Sequence, residues 1–293
     1  MFFLYHESPE CDQNFGTVLK VLRHNEVREN SDRFRSRMDR MFDELTAEDP
    51  DSIAGKQYAI YKSSAGKTAK SILIQLESRL AQFNIDSVCA LTSEDELDLY
   101  SFDDGRTALF CVIPEVNEGF NWLAVILYDQ IRKVLYDTAK ANPGLRLKHN
   151  TRFILDEFAN VALPGDFVQI LSTCRKHGIS MNIILQAVSQ LKALYEKEWE
   201  TIIGCCDVFL YMGSNEKSTH RYISESLGKE TINVMSRSSS DKSVSTSIQL
   251  SGRELMTESE VRNMPKEECI VMIAGEKPVR DLKYTAGQIK KRA

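Results

Sequence analysis

The sequence predicts an α/β protein: a mostly parallel sheet with flanking helices, accompanied by an all-helical region. Three observations carry this class. Apolar stripes recur at helical spacing up to about residue 105. From Thr107 onward, short continuous apolar runs alternate with helical patterns, as in a parallel sheet covered on both faces. The composition, 42% hydrophobic and 27% charged over 293 residues, is that of a folding chain long enough for two medium domains. The boundary is set between them, giving an all-α domain over 1–105 and an α/β domain over 106–293.

In the first domain Phe15, Val18, Leu19, Leu22 and Val27 form one helical stripe, Phe34, Met38, Met41, Phe42 and Leu45 a second, and Ile72, Leu73, Leu76, Leu80 and Phe83 a third. The stretch TAEDPDSIAGKQ between the second and third is acidic and rich in breakers, a surface connection. In the second domain TALFCVIP (Thr107 to Pro114) predicts a strand and Phe120 to Tyr136 a helix. RFILDEF, Ile179 to Gln186, Cys206 to Gly213 and Cys269 to Gly275 predict four more strands. A helical stripe runs through Leu191, Leu194, Tyr195, Trp199 and Ile202, and Thr219 to Leu227 is a helix ended by Gly228. The serine-rich Ser236 to Ser247 has no apolar period and reads as a mobile loop.

Composition removes several functional classes. Acidic residues outnumber basic ones for a net charge of −5, so contact with nucleic acid must be local. The seven cysteines are odd in number and contain no C-x-x-C pair, which points to reduced thiols. The histidines do not pair with one another at helical spacing, and only His177 stands so to a cysteine, Cys174, so no structural zinc site is expected. No apolar run approaches the ~18 residues of a membrane helix, and the chain as given is expected to be soluble. A hydrolase built on Ser189 or Cys174 lacks a G-x-S-x-G elbow.

Two stretches invite a nucleotide. Gly66, Lys67 and Thr68 imitate the end of a phosphate-binding loop, but G-x-x-x-x-G-K-[ST] requires glycine where Tyr61 stands. They are read instead as the start of a helix capped by Ser63 or Ser64. Asp156 and Glu157 close an apolar strand, where open α/β sheets bind ligands; an acidic pair also arises wherever a strand enters a solvated loop. Arg175, beside Lys176, precedes the next strand and Gln186 ends it. These suit a finger towards a neighbouring nucleotide and a sensor of its γ-phosphate, and equally a solvated basic helix end and an ordinary strand terminus. The ordered set of acids, arginine and glutamine on successive strands is less common than any member of it.

RFILDEFANVALPGDF, followed by LSTCRKHGISMNIILQAVSQLKALYEKEWETIIGCCDVFLYMG, resembles the Walker B to sensor region of the type IV coupling proteins, the TraG-type conjugative ATPases. ESPECDQNFGTVLKVLR, IAGKQYAIYKSSAGKTAKSILIQLESRLAQFN, SGRELMTESEV and GEKPVRDLKY extend the likeness over nearly the whole chain, towards the Gram-positive branch. The resemblance implies a hexameric RecA-like P-loop NTPase at the cytoplasmic face of the membrane, which uses ATP and magnesium to pass relaxase-bound single-stranded DNA to a secretion channel. It makes residues 1–105 the all-α domain inserted in the motor and 106–293 the C-terminal part of its nucleotide-binding domain. Asp156, through water on magnesium, and Glu157 match the Walker B acids, Arg175 the arginine-finger region and Gln186 the glutamine after the next strand.

The chain departs from that plan in having neither membrane helices nor a Walker A loop, as a truncated reading frame or an excised piece would. No nucleotide binding or ATP turnover is expected from it alone, because no backbone amides or loop lysine are there to hold the phosphates. The apolar strands Ile179 to Leu185 and Val208 to Met212 are then expected to keep an unpaired edge. A non-catalytic module that docks relaxosome proteins or DNA is the competing reading. The basic residues available to DNA are Arg237 and Lys242 in the serine-rich stretch and Lys290, Lys291 and Arg292 at the end.

Overall fold

The computed structural model describes residues 1–25, 34–64, 66–113, 118–160, 166–240 and 243–284. They form two units, Met1–Asp98 and Leu99–Ala293.

The first unit is helical: α1 (Phe2–Glu7), α2 (Phe15–Leu22), α3 (Arg37–Glu48), α4 (Ile53–Lys62), α5 (Gly66–Leu80) and α6 (Asp86–Leu91). The starts of α2, α3 and α4 are fixed by side chains. Asn14 accepts the Thr17 amide at the head of α2, and Ser36 and Asp39 form a reciprocal capping box at the head of α3. Asp39 is also the hub of the unit. Its carboxylate accepts Ser36 N at 2.7 Å and Tyr58 Oη at 2.8 Å and pairs with Lys62 Nζ at 2.7 Å, joining α3 to α4. Burial alone would raise its pKa, but the bonds from Lys62, Ser36 and Tyr58 prevail and hold it at about 2.

Gly66, Lys67 and Thr68 open α5, as the helical reading requires. Of the two candidate caps, Ser63 belongs to the end of α4, its hydroxyl donating to Ile60 O at 2.7 Å.

The second unit runs α7 (Asn121–Ala141), β1 (Thr151–Leu155), α8 (Phe167–Thr173), β2 (Ile179–Ile183), α9 (Val188–Leu194), α10 (Trp199–Gly204), β3 (Val208–Tyr211), α11 (Lys217–Leu227), β4 (Lys229–Ser240), β5 (Ser243–Glu254), α12 (Glu258–Arg262), β6 (Glu268–Ile273) and β7 (Val279–Leu282). β1 and β2 pair in parallel, Thr151 opposite Ile179 and Leu155 opposite Ile183. Helix α7 lies on this pair, with the Tyr128 ring edge-on to Phe153 at 5.3 Å and its hydroxyl on Met181 Sδ. Buried Asp103 ties the chain ahead of α7 to the loop behind it by accepting the backbone amides of Lys148 and His149.

Four expectations are corrected. Residues 107–113 form no strand: Phe110 and Val112 are 86% and 91% exposed, and an apolar run without a neighbouring strand has no ladder to complete. One face of β1 and β2 is covered rather than two, because their residues alternate and Ile154 on the other face is 66% exposed. β6 runs antiparallel to both β3 and β7, and the chain reaches it from β3 through α11, the β4 and β5 strands and α12 rather than through one crossover helix. Finally, Ser236 to Ser240 and Ser243 to Ser247 belong to a ribbon in which β4 and β5 pair from Lys229 with Glu254 to Ser240 with Ser243. A ribbon that joins no other strand needs no apolar alternation, so its serine-rich half carried no strand signal. Val27, Lys242, Lys290, Lys291 and Arg292 lie outside the described residues, and Arg237 lies within β4.

β2 pairs only with β1, and β3 only with β6, among the described residues, so each keeps an open edge as expected. Side chains link the two strands instead. Arg175 meets Asp207 at 3.3 Å ahead of them, and Ser214 Oγ donates to Gln186 O at 3.2 Å beyond their ends.

Candidate functional site at the carboxyl edge of the parallel pair

The parallel register brings three of the four sequence-selected residues to one edge. Asp156 and Glu157 follow β1 directly, and Gln186 lies three residues past β2, all exposed. The ladder continues beyond the strands, with Ile184 N donating to Leu155 O at 3.0 Å and Phe158 N to Ile184 O at 3.1 Å. Phe158, buried against Phe167, anchors the turn from below.

Glu157 has φ of +46°, a left-handed conformation that costs a non-glycine residue roughly 1–2 kcal/mol. Bonds on both sides hold it there. Asp156 Oδ1 accepts the Glu157 amide at 3.0 Å, Asn160 Nδ2 donates to Glu157 Oε2 at 2.7 Å, and Asn160 N donates to Glu157 O at 2.8 Å. Asn121 Nδ2, at the head of α7, in turn donates to Asn160 O at 2.9 Å.

Gln186 is held by its backbone. Its amide donates to Gln190 Oε1 at 2.9 Å and its carbonyl accepts Ser214 Oγ. Arg175 does not join this edge. It is 83% exposed in the turn before β2, at the opposite end of a strand roughly 16 Å long, and its nearest acid is Asp207.

Asp156 suits magnesium, which keeps most of its waters and takes one or two carboxylates together with substrate phosphates. The second Asp156 oxygen has no bond among the described residues, and no cluster of three or more metal-ligating side chains occurs among them. A phosphate cradle is a separate matter, for the only G-K-T in the sequence opens α5 in the other unit. Cys174 is no nucleophile. It is buried, burial raises its thiol pKa, and its Sγ bonds to Leu171 O.

Sequence reasoning missed the residues that hold the edge, Asn160, Gln190, Ser214 and Thr219. Glu216, the cap of α11, carried a signal in its place directly before a helix. The others bond across the fold and had none.

The profile of the family described as Type IV secretory system Conjugative DNA transfer matches residues 4–285. The chain belongs to this family. It is 27% identical over 236 residues to the conjugal transfer protein TraG of Rhizobium radiobacter, covering 76% of this chain and 35% of that one. It is 26% identical over 212 residues to the protein VirD4 of Agrobacterium fabrum, covering 70% and 31%. The chain therefore spans about a third of the length of these relatives.

Among solved structures, it matches the conjugative coupling protein TrwBdeltaN70 with a TM-score of 0.58 at 17% identity, over 76% of this chain and 52% of that one. TrwB in complex with ADP and Mg2+ matches with a TM-score of 0.57 at 18% identity, over 84% and 56%. The chain thus shares the fold of about half of TrwB, an α/β domain with a helical domain. No helix among the described residues is long and apolar enough to cross a membrane.

Proposed function

We propose that this coupling protein contributes the Walker B half of an ATP-driven motor that passes relaxase-bound single-stranded DNA to a conjugative secretion channel. The observation that carries the reading is the gathering of Asp156, Glu157 and Gln186 at the carboxyl edge of β1 and β2. Asp156 would hold the water shell of a magnesium ion, which would supply charge neutralisation on the phosphates when bound. Glu157 orients the attacking water, and Gln186 reads the γ-phosphate.

Arg175, exposed and remote from its own edge, reaches the nucleotide of a neighbouring copy in a ring, in the hexamer the family resemblance implies, at the cytoplasmic face of the membrane. The helical unit corresponds to the domain inserted in the motor. Arg237, within β4, and Lys242 meet the DNA backbone.

The test is Glu157→Gln in a protein that also supplies the G-x-x-x-x-G-K-[ST] loop. Hydrolysis should fall by a factor of about 100 or more with nucleotide affinity nearly unchanged, because this carboxylate acts on water and not on phosphate. Turnover equal to the unaltered protein would remove Glu157 from the mechanism.

A second reading is a docking module for relaxosome proteins or DNA, with contact confined to local basic residues of an acidic chain. Single-stranded DNA titrated at rising salt separates the two. A docking module binds without nucleotide and loses affinity steeply with salt.

A further inference from the structure

A set of polar bonds joins the Gln186 loop to the turn after β3, and the chemistry proposed above does not require it. Thr219 Oγ1 lies 2.7 Å from Glu216 Oε2 and 2.9 Å from Val188 N. A carboxylate only accepts, so the Thr219 proton points at Glu216 and a hydroxyl lone pair is left for the buried Val188 amide. Glu216 also takes both donors of Ser218 and the Thr219 amide, each at 2.8 Å. The Thr219 hydroxyl bond comes first among the causes that hold its pKa near 2.

Ser214 works in the same direction. Its hydroxyl donates to Gln186 O and accepts Glu216 N at 3.2 Å, while His220 Nε2 lies 2.7 Å from Ser214 O and so carries the proton. Gln190 Oε1 accepts the amides of Gln186 and Ala187. The amides of residues 186 to 188 and the carbonyl of Gln186 are thereby all bonded, and the exposed Gln186 side chain stands on a fixed backbone.

The same helix reaches the ribbon. α11 begins one residue after Glu216 and passes through Gly228, at φ +80°, straight into β4. Leu255 N donates to Gly228 O at 3.0 Å and Ser224 Oγ to Met256 O at 2.6 Å, so the chain leaving β5 is fastened to α11 as well.

We infer that Glu216, Thr219 and Ser214 are positioning residues that set Gln186 and couple it, through α11, to the base of the β4–β5 ribbon. The ribbon then responds to whatever occupies the carboxyl edge of β1 and β2. The occupant's being a nucleotide rests on the function proposed above; the coupling rests on the bonds just described.

Residue-resolved amide exchange of the 293-residue chain tests it. Thr219→Val keeps the shape and removes the hydroxyl. Exchange at 186–188 and at 229–233 should both quicken about tenfold or more as the buried amide loses its acceptor, while α7 and the helical unit stay as they were. Thr219→Ser should restore both segments. If the valine variant does not fold, Glu216→Gln carries the test, because it keeps the Thr219 hydroxyl but places a donor among the donors it must accept. Both segments should again quicken.

Faster exchange at 186–188 with an unchanged ribbon overturns the coupling, as does a uniform rise along the chain or a serine variant that fails to restore it. Adding ATP with magnesium to a protein that also supplies the G-x-x-x-x-G-K-[ST] loop separates the two ideas. Protection at both segments supports the coupling, and protection at 186–188 alone overturns it. No change with nucleotide, while Thr219→Val still loosens both segments, counts against nucleotide binding at this edge and supports the coupling.

Discussion

Asp39 in the helical unit and Asp156 with Glu157 in the α/β unit are carboxylates at element ends, in opposite conditions. Asp39 is buried, is bonded to Ser36, Tyr58 and Lys62, and caps a helix in an ordinary conformation. Glu157 is exposed, has its carboxylate bonded by one side chain and stands on a left-handed backbone. The first is spent on the fold. The second is held at a cost and keeps its capacity to bond something else, the pattern of a residue retained for chemistry. Acidity in the sequence does not separate the two; the surroundings do.

The largest effect that would sharpen this contrast is on stability. Asp39→Ala should destabilise the helical unit by about 3 kcal/mol, because Lys62 and Tyr58 lose their partner and α3 its capping box. Urea unfolding followed by circular dichroism measures it. Both tryptophans, Trp122 and Trp199, belong to the α/β unit, so tryptophan fluorescence should show that transition unmoved. A shift in the fluorescence transition as well would show that the contrast between the units is false.

Acid gives the next effect. Asp39 and Glu216 both have folded pKa values of about 2, below their ordinary values of 3.8 and 4.5. A depressed carboxylate pKa contributes stability that is complete above the unfolded value and is lost as pH falls through the folded one. Stability should therefore decline in both units from about pH 4.5 towards pH 2. Asp39→Asn should flatten that decline in the circular dichroism of the helical unit and leave the fluorescence curve alone.

The smallest effect concerns the strained residue. Glu157→Gly loses the Asn160 bond but relieves the left-handed backbone, so stability should stay within about 1 kcal/mol of the unaltered chain. A loss near that of Asp39→Ala would mean Glu157 is a structural residue like its counterpart.

Much of this was readable beforehand where burial dictates the residue. The apolar runs ending at Leu155 and Ile183 are strands because their inward residues meet Tyr128 and its neighbours, and the acids after β1 lie at the edge because a parallel strand ends there. Other elements gave no local sign. All four residues of β7 are exposed, and the ribbon's serine-rich half makes its ladder with backbone alone, which any residue but proline supplies. Strand direction at β6 and the bonds of Ser214 and Thr219 depend on partners 28 to 65 positions away, beyond the reach of periodicity.

The left-handed turn at Glu157 also sets the chain's exposure to inheritance. A glutamate codon becomes a glycine codon by one base substitution, and glycine is the residue that the φ of +46° accepts without strain. A single base change therefore leads to a variant whose stability is expected to stay within about 1 kcal/mol of its parent's. On the role proposed for Glu157, such copies would enter mixed rings as silent subunits, making the lesion dominant over the intact allele rather than recessive to it.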